Sequence, residues 1–468
     1  MTKPPRASRL LRYYLFRTRR LSRRQLGTLQ DWKMRVVFWI GALMVGLVTV
    51  GFAWVAELCA EAFAEMERHS SLWPVLITPL GMLATVFVMR RTGAESQGSG
   101  IPQVLVVLKQ RYHWLRPTFL SFRVIVMKFA LTCMGLLCGA SIGREGPSVH
   151  MGAAMMYSVG QVGRLHQKYV DNALIVAGGA AGVSAAFNAP LAGIVFAIEE
   201  LSGSFEQRTS GTLILAIILS GVVVLAIAGH YSFFGHPQGA LDITQDWLAI
   251  GVTGLVCGLL GGAFSRLLIT GSRFLAPYGR KHPYRVVLLC ALVLVLLGLV
   301  TGGMTYGSGY EQARHLLSGD ADGDWSFPLA KMAATLVSYF TGIPGGLFSP
   351  SLAAGAGVGN VIGGLFPDSS VVGITLVAMA AFLAGVIQRP ITSFVIVMEL
   401  TGNRHDILLP LMAGAFVAAA VAKLVWVRPL YDSLAERLQE GEGMALDRTR
   451  VVSTESGPAD ERGRGGGQ

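Results

Sequence analysis

Glu145 is the residue in this chain most able to do chemistry. It lies in Gly143-Arg144-Glu145-Gly146-Pro147, between two apolar segments, Phe119 to Leu137 and Ser148 to Val162. A charged pair inside apolar sequence is expensive and marks function. The flanking glycines leave backbone N–H groups unshielded, and Pro147 suits the first turn of a helix. Such a helix points its positive end at whatever Glu145 faces. A carboxylate there occupies the place an anion would take. The alternative is a membrane-buried ion pair between Arg144 and Glu145. Glu199 and Glu200 close the apolar helix Leu191 to Glu200. Two adjacent carboxylates at a helix end read first as ordinary solvated charges.

Two more glycine-flanked helix starts accompany the first. They are Gly98-Ser99-Gly100-Ile101-Pro102 and the run from Gly342 to Pro350, which carries Gly345-Gly346-Leu347-Phe348-Ser349-Pro350. Ser99 fits a helix cap, and a cap hydroxyl can also face an anion. Transferring a bare anion to low dielectric costs roughly tens of kcal/mol. Three converging helix ends, with N–H and hydroxyl donors, offset that cost without a full positive charge. A full charge would hold the ion too tightly to release it. Glu145 beside such a site competes for it when ionised and withdraws when protonated, which links anion movement to protonation. Tyr431, in Pro429-Leu430-Tyr431, is the fourth feature. On its own it reads equally as an interfacial tyrosine.

The elements that must position these residues are membrane helices. The chain has 468 residues, 52% hydrophobic and only 14% charged, with mean hydropathy +0.52. That composition excludes a soluble enzyme and predicts an all-α polytopic membrane protein. With 58 Gly and 19 Pro, close helix packing and broken helices are expected. The net charge of +11 is concentrated at the amino end, so it indicates lipid headgroups rather than nucleic acid. None of the five cysteines forms a C-x-x-C pair and no H-x-x-x-H occurs. No metal or cofactor is therefore expected.

Residues 1–34, dense in arginine from Arg6 to Arg24, read as a cytoplasmic segment against the headgroups, too charged for a cleavable signal peptide. The first span is expected at Val36 to Leu58, followed by Glu57, Glu61, Glu65 and Glu67, placed outside. Leu72 to Met89 returns to the inside at Arg90 and Arg91. Phe119 to Leu137 carries Lys128, which needs a partner at that depth. Further spans are expected at Ala173 to Phe187, Thr212 to Ala228, Leu248 to Leu268, Val286 to Val300 and Ile407 to Val425. The segment 429–441 reads as an amphipathic helix, and 442–468 as a disordered tail too small for a folded regulatory domain.

The second half repeats the first. Ala189-Pro190-Leu191-Ala192-Gly193-Ile194-Val195 is mirrored by Arg389-Pro390-Ile391-Thr392-Ser393-Phe394-Val395, which sets Glu199 opposite Glu399 without a gap. Glu145-Gly146-Pro147-Ser148 similarly matches Phe348-Ser349-Pro350-Ser351. This predicts one membrane repeat over 35–235 and another over 245–428. An uneven count of passes in each favours inverted topology. Glu200 has no counterpart, since the repeat carries Leu400 there.

These motifs resemble the CLC family of chloride channels and chloride/proton antiporters. The resemblance spans Met34 to Gln439. It rests on G-S-G-I-P at 98–102, G-R-E-G-P at 143–147, A-F-N-A-P-L-A-G at 186–193, G-G-L-F-S-P at 345–350 and P-L-Y at 429–431. It implies an inverted repeat of tilted and broken helices in a homodimer, one pore per subunit, in a bacterial inner membrane with the N-terminus cytoplasmic. It implies a chloride-binding set of Ser99, Glu145, Gly146, Leu347, Phe348 and Tyr431. Ser99 and Tyr431 would donate O–H groups, and the backbone around Leu347 and Phe348 would donate N–H groups. It makes Glu145 the external gating glutamate and Glu200 the internal proton glutamate, where family channels usually carry an apolar residue. Serine at 99 goes with chloride preference, proline with nitrate. Gln103 departs from the usual glutamate, which leaves the partner of Lys128 open.

The expected function is chloride/proton antiport. The rival is a passive chloride channel gated by Glu145. A membrane-embedded enzyme using Glu145 and Glu199-Glu200 as acid and base lacks a metal cluster, a nucleophile–base pair and a cofactor fingerprint. A structural scaffold would not need three converging glycine-rich helix starts.

Overall fold

The computed structural model describes residues 29–164, 168–202, 210–229, 233–319, 324–402 and 405–440. The arginines of the amino-terminal segment from Arg6 to Arg24, and the tail 442–468, lie outside these residues.

The described chain is helical, joined by loops and one isolated antiparallel bridge between Gly143 and Gly346. The first half holds α1 (Leu29–His69), α2 (Trp73–Thr92), α3 (Ile101–Leu108), α4 (Phe122–Leu137), α5 (Glu145–Val162), α6 (Lys168–Phe187), α7 (Pro190–Phe196) and α8 (Ser210–Ala228). The second holds α9 (Trp247–Lys281), α10 (Pro283–Val300), α11 (Tyr310–Leu316), α12 (Ser326–Phe340), α13 (Phe348–Gly363), α14 (Val371–Ile387), α15 (Pro390–Leu400) and α16 (Leu408–Val425). These eight elements recur in the same order, and the first half carries in addition the short helix Arg116–Phe119. Residues 430–440 form one more helix.

Among the described residues, six helices are long and apolar enough to cross a membrane. Tyr112–Phe119 and Phe122–Leu137, bent by 60° at a short break, together have the length and apolarity of one more. The chain is a multi-pass membrane protein. Its outward helices carry apolar stripes, such as Leu289, Leu292, Leu296 and Val300 on α10, all exposed. By contrast, all of α13 is buried. A helix apolar on every side belongs in the middle.

Two helices run further than their apolar stretches. α1 continues past Leu58 to His69, because alanine and glutamate are good helix formers and Glu65 pairs with Arg68 one turn on, at 2.9 Å. α9 continues past Leu268 to Lys281, with Pro277 inside it.

Close packing rests on small residues. A Cβ on Gly152 of α5 would lie 2.3 Å from the Gly178 carbonyl oxygen of α6. The same crossing in the second half brings Gly359 of α13 against Thr375 of α14, where a Cβ would lie 2.5 Å from the Thr375 Cα. Helices without side chains at the crossing approach closely and gain dispersion contact.

Candidate functional site

The centre of the molecule is where the two halves meet end to end. Gly143 N–H donates to the Gly346 carbonyl at 2.8 Å, and Gly346 N–H donates to the Gly143 carbonyl at 2.7 Å. From this bridge α5 begins at Glu145 and α13 at Phe348. Two helix starts, each with unsatisfied N–H groups, thus face one small volume. A third loop joins them: Gly98 N–H donates to the Gly342 carbonyl at 3.1 Å, and Gly345 N–H to the Gly98 carbonyl at 3.4 Å. The three glycine-rich stretches converge.

Glu145 is 1% exposed. Its carboxylate crosses from the first turn of α5 to the first turn of α13. Ser349 Oγ donates to Oε1 at 2.5 Å, and Ser349 N–H approaches Oε2 at 3.5 Å. The carboxylate is thereby seated on the positive end of α13, where a free anion would also be favoured. Its neighbour Arg144 turns away. Arg144 meets Glu57 at 3.5 Å, donates to the Ala53 carbonyl at 3.0 Å and lies over the Phe233 ring. The buried Arg144–Glu145 pair is not formed.

Ser99 and Tyr431 are both buried. Their hydroxyls are near enough to act on one another, yet neither makes a hydrogen bond of ordinary geometry among the described residues. Buried hydroxyls without partners are rare, and a polar ligand satisfies them. A Cβ on Gly146 would lie 2.3 Å from Ser99 Oγ, so only glycine lets the start of α5 come so close. Leu347 caps α13 and Phe348 opens it. The Phe348 ring sits 6.0 Å from that of Tyr431, 6.2 Å from Phe196 and 6.3 Å from Phe187. Ser99, Glu145, Gly146, Leu347, Phe348 and Tyr431 surround one locus. It combines orphan donors, two helix ends and aromatic walls, a setting for a dehydrated monovalent anion.

Glu200 lies apart, beyond α7 in a π-helical turn, Ala197–Ser202. Such wide turns are frequent at functional sites because they redirect one side chain. Its side chain is 1% exposed and pairs with Arg389 Nε at 2.8 Å. Oε1 is buried without a partner among the described residues.

Lys128 finds its partners in carbonyls rather than a carboxylate. Nζ donates to Ser96 O and Gly98 O, each at 2.8 Å, while Gln103 donates to Gln97 O. Lysine thus clamps the loop that carries Ser99. The second half repeats the device: Lys331 Nζ donates to Thr305 O at 3.0 Å and Gly307 O at 2.8 Å. The clamped loop is Gly307-Ser308-Gly309. Its glycines have φ of 62° and 80°, against 69° and 100° at Gly98 and Gly100. Sequence reasoning missed this second G-S-G and its lysine, although the motif was in plain view.

A cavity of about 1360 Å³ opens on the Glu145 side, lined by Glu57, Glu61, Arg144, Tyr310 and Ser349 among others.

Residues 80–423 match the family model described as voltage gated chloride channel. The H(+)/Cl(-) exchange transporter ClcA of Klebsiella pneumoniae is 31% identical over 430 residues, covering 86% of this chain and 89% of that protein. This chain belongs to the CLC family. ClcA of Salmonella typhimurium is 30% identical over 445 residues, with 89% and 90% covered. The CLC fold is equally plain among solved structures. A slow cyanobacterial Cl-/H+ antiporter superposes with a TM-score of 0.76 at 23% identity, covering 87% of this chain and 98% of that one. A CLC-type fluoride/proton antiporter gives 0.72 at 23% identity, covering 86% and 99%. The inverted repeat met at the Gly143–Gly346 bridge is the architecture of this family.

Proposed function

We propose that this protein is a chloride/proton antiporter, moving chloride across the membrane in exchange for protons. The observation that carries the reading is the Glu145 carboxylate seated on the start of α13, in a position an anion would occupy. When ionised, it competes with the anion. When protonated, it loses its attraction for the helix end and leaves, so each chloride passage is tied to a protonation. Glu200, on the opposite side of the anion locus, is the second proton carrier. Protons and chloride then share the path near Glu145 and part below it. That relatives across almost the whole chain are named H(+)/Cl(-) exchange transporters favours exchange over a passive channel.

In this reading Ser99 and Tyr431 donate O–H groups to the central chloride, and the backbone at Gly146, Leu347 and Phe348 donates N–H groups. Glu145 faces the external cavity and Glu200 the cytoplasm, with the basic amino-terminal segment cytoplasmic in a bacterial inner membrane. The protein works as a homodimer with a pore in each subunit, and uses no cofactor. The exposed apolar residues Leu215, Ile218 and Val222 of α8, with Leu409 and Phe416 of α16, suit lipid or a second copy.

Purified protein in proteoliposomes tests the reading. A chloride gradient is expected to drive protons uphill in the wild type. Chloride flux that leaves the proton gradient untouched would make the protein a channel.

A further inference from the structure

Two departures from the inverted repeat lie side by side. The loops Asn188-Ala189-Pro190 and Gln388-Arg389-Pro390 have the same backbone. Asn188 and Gln388 take left-handed φ of 54° and 56°. Ala189 and Arg389 follow with φ, ψ of −131°, 82° and −122°, 82°. The folds match and the side chains do not: alanine in one half, arginine in the other. Likewise Glu200 stands where the second half has Leu400. The two departures meet, because Arg389 Nε pairs with Glu200 Oε2 at 2.8 Å. The pseudo-symmetric pair, Ala189 with Leu400, is apolar and carries no such contact. An ion pair has been placed on the Glu200 side alone.

Arg389 has a second anion. Nη2 donates to Asp432 Oδ2 at 2.9 Å. The three side chains form a graded series: Glu200 1% exposed, Arg389 23%, Asp432 36%. Asp432 directly follows Tyr431, a chloride donor in the proposed function. Protonating one partner of a buried ion pair ordinarily strands the other as an uncompensated charge. Here it does not, because the guanidinium keeps Asp432.

We propose that Arg389 is a positioning residue for proton uptake: shared between Glu200 and Asp432, it engages Oε2 of Glu200 and leaves Oε1 free, and turns to Asp432 when Glu200 takes the proton. This rests on the antiporter reading. A proton from inner water adds to Oε1, the Arg389–Glu200 contact opens, and the Arg389–Asp432 contact keeps the cation neutralised. The charged groups around Glu200 among the described residues are Arg389, Asp432 and Glu199, with the Tyr431 phenol also within electrostatic reach. Glu199 is committed to the start of α15.

The test compares wild type, Arg389→Gln, Arg389→Lys and Asp432→Asn in proteoliposomes, reading proton and chloride flux against inner pH. Removing Arg389 leaves two carboxylates without their cation, which favours protonated Glu200. The midpoint of proton uptake is expected to rise by about one pH unit, tenfold in proton affinity. Removing the Asp432 charge gives Arg389 wholly to Glu200, so the midpoint is expected to fall. Arg389→Lys restores most of the wild-type profile. Shifts in one direction for both variants, or none in either, overturn the proposal, as does an equal loss of both fluxes at every pH in folded protein. If Arg389→Gln does not fold, the direction of the shift in the more exposed Asp432→Asn decides alone. A wild type without proton uptake would instead refute the antiporter reading.

Discussion

Glu199 and Glu399 cap each other's partner helices. Glu199 accepts from the N–H groups of Ile391 at 3.2 Å and Thr392 at 2.6 Å, at the start of α15. Glu399 accepts from Leu191 at 3.1 Å and Ala192 at 2.6 Å, at the start of α7. Each carboxylate thus satisfies two orphan donors across the repeat boundary. The symmetric pair caps helices, and Glu200 beside it has no counterpart, since the second half carries Leu400 there.

Glu199→Gln and Glu399→Gln are each expected to lower stability by about 0.5–2 kcal/mol, the range for losing a helix cap. Thermal unfolding in detergent reads this. Equal destabilisation is expected, because the two contacts are copies. The chloride-to-proton ratio stays at the wild-type value in both. A changed ratio in Glu199→Gln with an unchanged one in Glu399→Gln would give Glu199 a share in proton movement.

The two lysine clamps make a second prediction. Lys128 and Lys331 are both fully buried and donate only to backbone carbonyls. Lys331→Met keeps the length and deletes the donors. About 2–3 kcal/mol of stability is expected to be lost, since carbonyls that faced a charged donor become unsatisfied. Lys128→Met is expected to add a functional loss, because its loop carries Ser99. Weaker chloride binding by calorimetry in Lys128→Met, but not in Lys331→Met, would check the difference. Equal binding losses in both would mean the clamps act only on the fold.

Much of this was legible in the sequence, and the illegible part has a physical cause. Glycine runs inside apolar sequence marked the helix starts, because few other patterns leave N–H groups open at that depth. The register of Glu199 on Glu399 exposed the repeat. The sequence did not show where a carboxylate turns: Arg144 and Glu145 are neighbours in the chain yet face Glu57 and Ser349. Nor did it show that Lys128 meets carbonyls, since backbone acceptors leave no trace in residue identity. The π-helical turn at Ala197–Ser202 was equally hidden. Arg389 was visible opposite Ala189, but only the folded loop reveals that it reaches Glu200.

The anion locus yields a third prediction. Ser99 Oγ and the Tyr431 hydroxyl are the side-chain donors without partners there. A hydrogen bond to a charged group contributes about 1.5–3 kcal/mol. Tyr431→Phe is therefore expected to weaken chloride binding by about tenfold or more, measured calorimetrically. Ser99→Pro is expected to shift preference from chloride toward nitrate, read by competition in the same assay. Unchanged chloride binding in both variants would move the site elsewhere.

The last prediction concerns the seat of Glu145. Glu145→Gln fixes a neutral side chain, so chloride is expected to flow without driving protons. That variant tests the charge but not the geometry. Ser349→Ala tests the geometry, because Ser349 Oγ is the close donor to the carboxylate at 2.5 Å. Deleting it loosens an ionised Glu145 from the start of α13, and a looser carboxylate competes less with the anion. The apparent chloride affinity is expected to rise, by up to about tenfold for a loss of about 1.4 kcal/mol from the competing contact. The rise depends on the negative charge of Glu145. In a Glu145→Gln background Ser349→Ala should therefore change affinity little, and the two effects should couple in a double-mutant cycle. Calorimetric chloride titrations of the four proteins give the coupling directly. Weaker binding in Ser349→Ala, equal in both backgrounds, would make the hydroxyl a donor to the anion itself and remove it from the seat of the gate.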